Sequence, residues 1–267
     1  MINDLFRYSE YSVKHQLLNW WATDNEENYQ LIRPDGTKNY SKAAFNYKFN
    51  SDGFRGDEFT DNSDLPIMFL GCSLTEGVGL PLDEVWPLLI LDKIKRLPEH
   101  KNKKIPLWNL GRAGSGIDTA ARALYGYAPK LHPKYIFCFT PFYSRREFCF
   151  EDNRVVSWSP NSKNGLPFLD RIFSDDNFSS YQLFRSLMIL SLTAEKHDAK
   201  IIAFTPFPNS SSEQIRKVYA QFPNIRYYEL RHYDVDYARD SLHRGPLWHS
   251  MIADQLWHKV EHLFDGK

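Results

Sequence analysis

The chain has 267 residues, enough for one large domain, or a domain with an appended segment, built on a sizeable buried core. A hydrophobic share of 42% and a charged share of 25% are ordinary for a soluble globular protein, and a formal net charge of +0 gives no bulk attraction to nucleic acid or to an anionic membrane. Three cysteines, Cys72, Cys138 and Cys149, follow no Cys-x-x-Cys or zinc-type spacing and fit buried free thiols better than a disulfide framework.

The opening stretch MINDLFRYSEYSVKHQ lacks the apolar centre of a signal peptide, and no window approaches the ~18 apolar residues of a membrane span. The expected location is therefore cytoplasmic, which is compatible with delivery inside a larger particle. Residues 1–63 are polar and punctuated, and read as an N-terminal extension packed on a main domain at 64–267. Residues 1–46 carry no pattern; a packed extension, an oligomer arm or an anchor to a larger assembly all suit them. YKFNSDGFRGDEF (47–59) reads as a short alternating strand, a turn at Ser51-Asp52-Gly53 and a second extended piece.

From residue 64 the pattern sharpens. Pro66 to Gly71 is a short apolar run that reads as a buried strand, and Val85 to Lys95 has helical spacing that accepts Pro87 in its first turn. Ile105–Leu110, Lys134–Thr140, Lys200–Thr205 and Ile225–Leu230 predict four more strands. Helices are predicted at Asp118–Tyr127, Tyr181–His197, Ser211–Phe222 (with a serine cap) and Leu247–Phe264. The polar, aromatic stretch at about 143–175 is long for a connection between strand and helix and reads as a lid-like insertion or a surface excursion. Strands alternating with helices predict a three-layer α/β/α sandwich with a mainly five-stranded parallel sheet, in which a site forms at the C-terminal strand ends.

Three strand-end segments carry residues suited to chemistry. GCSLTEG (71–77) places Ser73 at a strand-to-helix turn, where it serves as an exposed nucleophile or as a plain helix cap. DSLHRGPLWH (240–249) supplies Asp240 and His243, the carboxylate and imidazole that a nucleophilic serine needs; a capping Asp beside a surface His explains the same letters. A metal site built from Asp240, His243 and His249 is a weaker alternative, for want of a third ligand cluster at another strand end. NLGRAGSGID (109–118) has phosphate-loop glycines at 111 and 116, but Ile117 and Asp118 stand where Lys and Ser/Thr are required. No Gly-x-Ser-x-Gly elbow occurs, which disfavours an ordinary α/β-hydrolase.

In this order the segments resemble the blocks of the SGNH (GDSL-like) hydrolases: GCSLTEG the nucleophile block, NLGRAG (109–114) the block with the oxyanion glycine, and DSLH (240–243) the acid–base block. His249 and the NSDGFRG lead-in (50–56) are similar to features of that family, and the resemblance spans roughly residues 47 to 264. It implies a flavodoxin-like fold and a serine esterase or acylhydrolase that cleaves a carboxylic ester, O-acetyl groups on carbohydrate included, through Ser73, His243 and Asp240 and an acyl-enzyme. The backbone N–H groups of Ser73 and Gly114 would form the oxyanion hole, and no metal or organic cofactor is implied. The expected partner is a small-molecule or carbohydrate ester, with no nucleic acid and a possible oligomer through the N-terminal extension. Two departures stand out. Cys72 replaces the usual Asp before the nucleophile, and TPFYSRREF (140–148) has no counterpart of the third-block asparagine. Tyr143, Ser144, Arg145 and Arg146 are the candidates for a substitute donor and for substrate binding. An acyltransferase with the same triad, or a binding or structural protein that kept the fold and lost the chemistry, are the alternatives.

Overall fold

Five short runs of apolar residues can bury both faces only if helices cover them on two sides, and the chain adopts that arrangement. The computed structural model describes residues 13–31, 44–140, 144–149, 155–158, 175–207 and 212–265. A small antiparallel pair, β1 (Leu17–Leu18) and β2 (Tyr47–Lys48), comes first, with the one-turn helix α1 (Glu26–Tyr29) between them in sequence. The main sheet consists of β3 (Ile67–Gly71), β4 (Trp108–Gly111), β5 (Tyr135–Phe139), β8 (Lys200–Thr205) and β9 (Ile225–Glu229). Its spatial order is β4-β3-β5-β8-β9, with every pair parallel. Between β5 and β8 lies a second antiparallel pair, β6 (Arg146–Cys149) and β7 (Val155–Trp158).

The helices are α2 (Ser73–Glu76), α3 (Trp86–Arg96), α4 (Ile117–Leu131), α5 (Asp176–Lys196), α6 (Ser212–Tyr219) and α7 (Pro246–Val260). Strand alternation sorts the core into two layers. Met68 and Leu70 face α4, α5 and α6, packing with Leu124, Leu187 and Ile215. Ile67 and Phe69 face α3 and α7, where Trp86, Phe137, Phe204 and Trp248 fill the space. Buried in the first layer, the Cys138 thiol is pushed up to about 12 by loss of solvation.

Some element bounds differ from the sequence expectation for local reasons. The second strand begins at Trp108 and not at Ile105, because Pro106 has no N–H for a ladder. The backbone at Leu107 pairs with Asp57 instead: Asp57 N–H donates to Leu107 O (3.1 Å) and Leu107 N–H to Asp57 Oδ2 (2.8 Å). Helix α4 runs past Tyr127 to Leu131 with Pro129 inside it. The hydrogen bond that Pro129 cannot donate would have gone to the carbonyl of Tyr125, an exposed residue, so water can replace it. Helix α5 starts earlier than expected, at Asp176, because the Asp175 carboxylate caps it by accepting from Phe178 N–H (2.8 Å). Ser211, the expected cap of α6, and most of the 143–175 insertion lie outside the described residues.

Strand β3 lies between β4, which follows it, and β5, so consecutive crossovers leave it in opposite directions. A crevice opens at that point, beyond the strand ends. The turns after β3 and β4 touch with no room to spare: a Cβ on Gly111 would lie 2.6 Å from Glu76 N and 2.7 Å from the Thr75 carbonyl carbon. Asn109 ties the same two turns together, donating to Thr75 O (2.8 Å) and accepting from Gly111 N–H (2.9 Å).

Helix α7 is fixed to α3 by His249, a buried residue whose Nδ1 accepts from Trp86 N–H at 3.2 Å. Burial, with a smaller contribution from the charge of His243, lowers His249 to about 3. Below the unfolded value of ~6.5 the unfolded chain takes up a proton that the folded chain refuses, so acid favours unfolding, by at most about 1.4 kcal/mol per pH unit. His249→Asn keeps an acceptor for Trp86 and removes the titration. Urea denaturation between pH 6.5 and 4 should show a shallower loss of stability in this variant than in the wild type.

Candidate functional site

The crevice side of the sheet is built on the turn after β3. Gly71 makes that turn possible, since a Cβ there would lie 2.1 Å from Thr75 Oγ1. Cys72 occupies the N-cap position of α2 in extended conformation, so Ser73 is the first helical residue and not the cap. The Ser73 hydroxyl instead meets His243 Nε2 at 2.8 Å. Among the described residues, no acceptor takes the backbone N–H of Ser73.

The partner imidazole comes from the loop before α7. Asp236 caps that helix, accepting from Leu247 N–H (2.7 Å) and Trp248 N–H (2.9 Å), which leaves Asp240 for another use. Asp240 Oδ2 contacts His243 Nδ1 at 2.5 Å, while Oδ1 accepts from the N–H groups of Leu242 (3.1 Å) and His243 (2.9 Å). Asp240 is wholly buried, and burial alone would raise its pKa. The hydrogen bond and charge of His243, its N–H, and the Thr23 hydroxyl outweigh that effect and hold the carboxyl below its ordinary value. Asp240, His243 and Ser73 thus form one continuous hydrogen-bonded chain from a buried carboxylate to a hydroxyl.

The loop after β4 lies alongside. Arg112 N–H donates to Gly71 O (3.0 Å) and Ala113 N–H to Glu76 Oε2 (2.7 Å). Glu76 is buried; desolvation raises its pKa against the opposing charge of Arg112 and its own hydrogen bonds. Gly114 has a left-handed φ of +77°, and among the described residues its N–H has no acceptor.

Sequence reasoning missed the N-terminal contribution. Trp21 Nε1–H donates to Glu76 Oε1 (2.9 Å), and the Thr23 hydroxyl donates to Asp240 Oδ2 (2.7 Å). Asp24 meets Arg239 at 2.6 Å, both side chains being buried, and accepts from Tyr47 O–H (2.5 Å). No local spacing announces these contacts, because each joins residues far apart in the chain.

A cleft of about 230 Å³ opens over Ser73 and His243. Leu74, Phe139, Phe207 and Leu242 make its apolar walls, with Arg145 and Arg244 bringing positive charge. Arg244 pairs with Asp234 and lies over the Tyr237 ring. Of the four residues singled out after the third main strand, Arg145 lines the cleft. Ser144 and Arg146 do not: Arg146 is buried, with its guanidinium donating to Arg145 O and Ser179 O. Tyr143 lies outside the described residues.

No protein-family model matches the chain, and no curated protein matches it. Solved structures do. A family two carbohydrate esterase from Cellvibrio japonicus aligns with a TM-score of 0.50 and 13% identity over 80% of this chain and 65% of its own. TesA aligns with a TM-score of 0.50 and 13% identity over 74% of this chain and 98% of its own. LAE5, an alpha/beta hydrolase enzyme from the metagenome of Lake Arreo, Spain, aligns with a TM-score of 0.51 and 15% identity over 75% and 97%. The match spans less than two thirds of the Cellvibrio esterase and of an acetyl xylan esterase, Est2A, from Butyrivibrio proteoclasticus (64%). In fold, the chain is a three-layer α/β/α sandwich with a five-stranded parallel sheet, similar to that of TesA and of an acetyl xylan esterase, AlAXEase.

Proposed function

We propose that the chain is a serine ester hydrolase in which Ser73 is the nucleophile, His243 the general base and acid, and Asp240 the group that orients the imidazole. The observation that carries this reading is the unbroken relay of Asp240 Oδ2, His243 Nδ1, His243 Nε2 and Ser73 Oγ, with contacts of 2.5 and 2.8 Å, under an open cleft. The buried carboxylate favours the proton on Nδ1 and leaves the Nε2 lone pair facing the hydroxyl.

In the reaction, Ser73 Oγ attacks the ester carbonyl as its proton passes to His243. The oxyanion is received by the N–H groups of Ser73 and Gly114, and His243 returns the proton to the leaving alcohol. Water activated by the same imidazole then releases the acid from the acyl-enzyme. Arg145, in the segment where the family's asparagine is missing, is the substrate-facing cation of this reading. A cleft of about 230 Å³ lies below the usual ~300–1,000 Å³ of small-molecule sites and suits a short acyl group such as acetyl. That agrees with neighbours described as a family two carbohydrate esterase and an acetyl xylan esterase, and O-acetylated carbohydrate is the substrate class proposed.

The purified protein should hydrolyse p-nitrophenyl acetate and react with a fluorophosphonate probe, and Ser73→Ala should lose both. Asp240→Asn should lower kcat by about 10⁴-fold, because the imidazole loses its tautomer control. A folded wild type that neither turns over nor labels would overturn the proposal.

A further inference from the structure

Three consecutive residues of the loop that carries the acid are each held by the N-terminal segment. Arg239 takes the Asp24 carboxylate through Nε (3.0 Å) and Nη2 (2.6 Å), and its Nη2 also donates to Asn19 O (2.6 Å). The Asp240 Oδ2 atom accepts from Thr23 Oγ1 (2.7 Å), and the Ser241 hydroxyl donates to Asn28 O (3.1 Å). The middle contact falls on the oxygen that faces His243 Nδ1, and Thr23 Oγ1 is itself 3.4 Å from that nitrogen.

An ionised carboxylate has about four acceptor positions, and a buried one needs them filled. Asp240 has four donors: two backbone N–H groups on Oδ1, and the imidazole and the Thr23 hydroxyl on Oδ2. Three come from its own loop and would swing with it. The fourth arrives from 217 residues away in sequence and fixes the carboxylate against a separate part of the molecule.

Thr23 is held in place on both sides. Trp21 and Asp24 exchange backbone hydrogen bonds of 2.9 Å around it, and Asn28 Nδ2 donates to its carbonyl (2.6 Å). On the opposite side of Asp240, Gly79 approaches so closely that a Cβ would lie 3.2 Å from Oδ1 and 2.7 Å from Ala238 Cβ. The carboxylate is thus enclosed between the Gly79 turn and the Thr23 hydroxyl.

We propose that Thr23 is a positioning residue: its hydroxyl fixes Asp240 Oδ2 against His243 Nδ1, so the N-terminal segment completes the site. This rests on the esterase reading above. Removing a hydrogen bond to a charged group costs roughly 10- to 100-fold where the charge must be held in place. Thr23→Val keeps the shape of the side chain and deletes the donor, while Thr23→Ser keeps the donor.

With p-nitrophenyl acetate, Thr23→Val should lower kcat about 10-fold or more with KM little changed, and Thr23→Ser should recover most of the loss. Because Thr23 is an exposed residue, both variants should melt within a few degrees of the wild type. Thr23→Val at wild-type kcat, or equal losses in both variants, would overturn the positioning role. So would a change confined to KM. A wild type with no turnover and no fluorophosphonate labelling removes the esterase reading, and this inference with it; an active wild type keeps the two questions apart.

Discussion

The buried ion pair between Asp24 and Arg239 is the joint on which the arrangement turns. A guanidinium 2% exposed and a carboxylate 0% exposed are costly to remove from water, and the surroundings are built to offset that cost. Asp24 also accepts from the Tyr47 hydroxyl, which in turn accepts from Gly79 N–H at 2.7 Å. The Arg239 guanidinium lies between the rings of Trp20 (4.1 Å) and Phe45 (3.8 Å), so its faces meet π-electrons and its edges meet oxygen. Arg55, equally buried, likewise lies over a ring, 4.4 Å from the Tyr47 centre, and donates to the carbonyls of Gly77 and Leu80. The turns beneath Ser73 and before α7 are therefore tied, through charged groups, to the same N-terminal residues.

That joint explains how a short turn and a mobile type of element, a loop, are held in register. Ser73 is placed by the sheet, since Gly71 ends a strand hydrogen-bonded on both sides. The loop with Asp240 and His243 lies outside the main sheet and is closed by one antiparallel bridge, Tyr237 with Arg244, with Ala238 N–H donating to His243 O (2.9 Å). Its order comes from Asp236 at the start of α7, from Arg239 N–H donating to Gly79 O (2.9 Å), and from the N-terminal contacts. One half of the site is positioned by the ladder of the main sheet, and the other by a single loop bridge together with side-chain hydrogen bonds, a difference that follows from where each half lies relative to the sheet.

The main sheet was readable because a doubly covered parallel strand is a run of apolar letters. Ile67 to Leu70 and Lys200 to Thr205 stand out for that reason. The Ser73, Asp240 and His243 positions were readable as strand-end residues in a family-like order. Thr23, Trp21 and Asp24 were not, because polar residues in an irregular stretch have no period, and their partners lie 217, 55 and 215 positions away. Arg145 and Arg146 could not be told apart by sequence either: Arg145 lies just before β6 and reaches the cleft, while Arg146, the first residue of β6, is buried and donates to Ser179 O.

The span between Thr23 and Asp240 also bears on the order in which the molecule assembles. Joining residues so distant closes a very large loop, and such contacts form only after the intervening sheet has condensed and brought them near. The hydrophobic layers around β3, β5 and β8 can collapse before that closure; the carboxylate's fourth donor cannot arrive until it is complete. During synthesis, the segment containing Thr23 emerges long before its partner and has nothing to close upon until the loop with Asp240 has been made. A chain stopped short of that loop would lack α7, with its share of the second core layer, as well as the relay to Ser73.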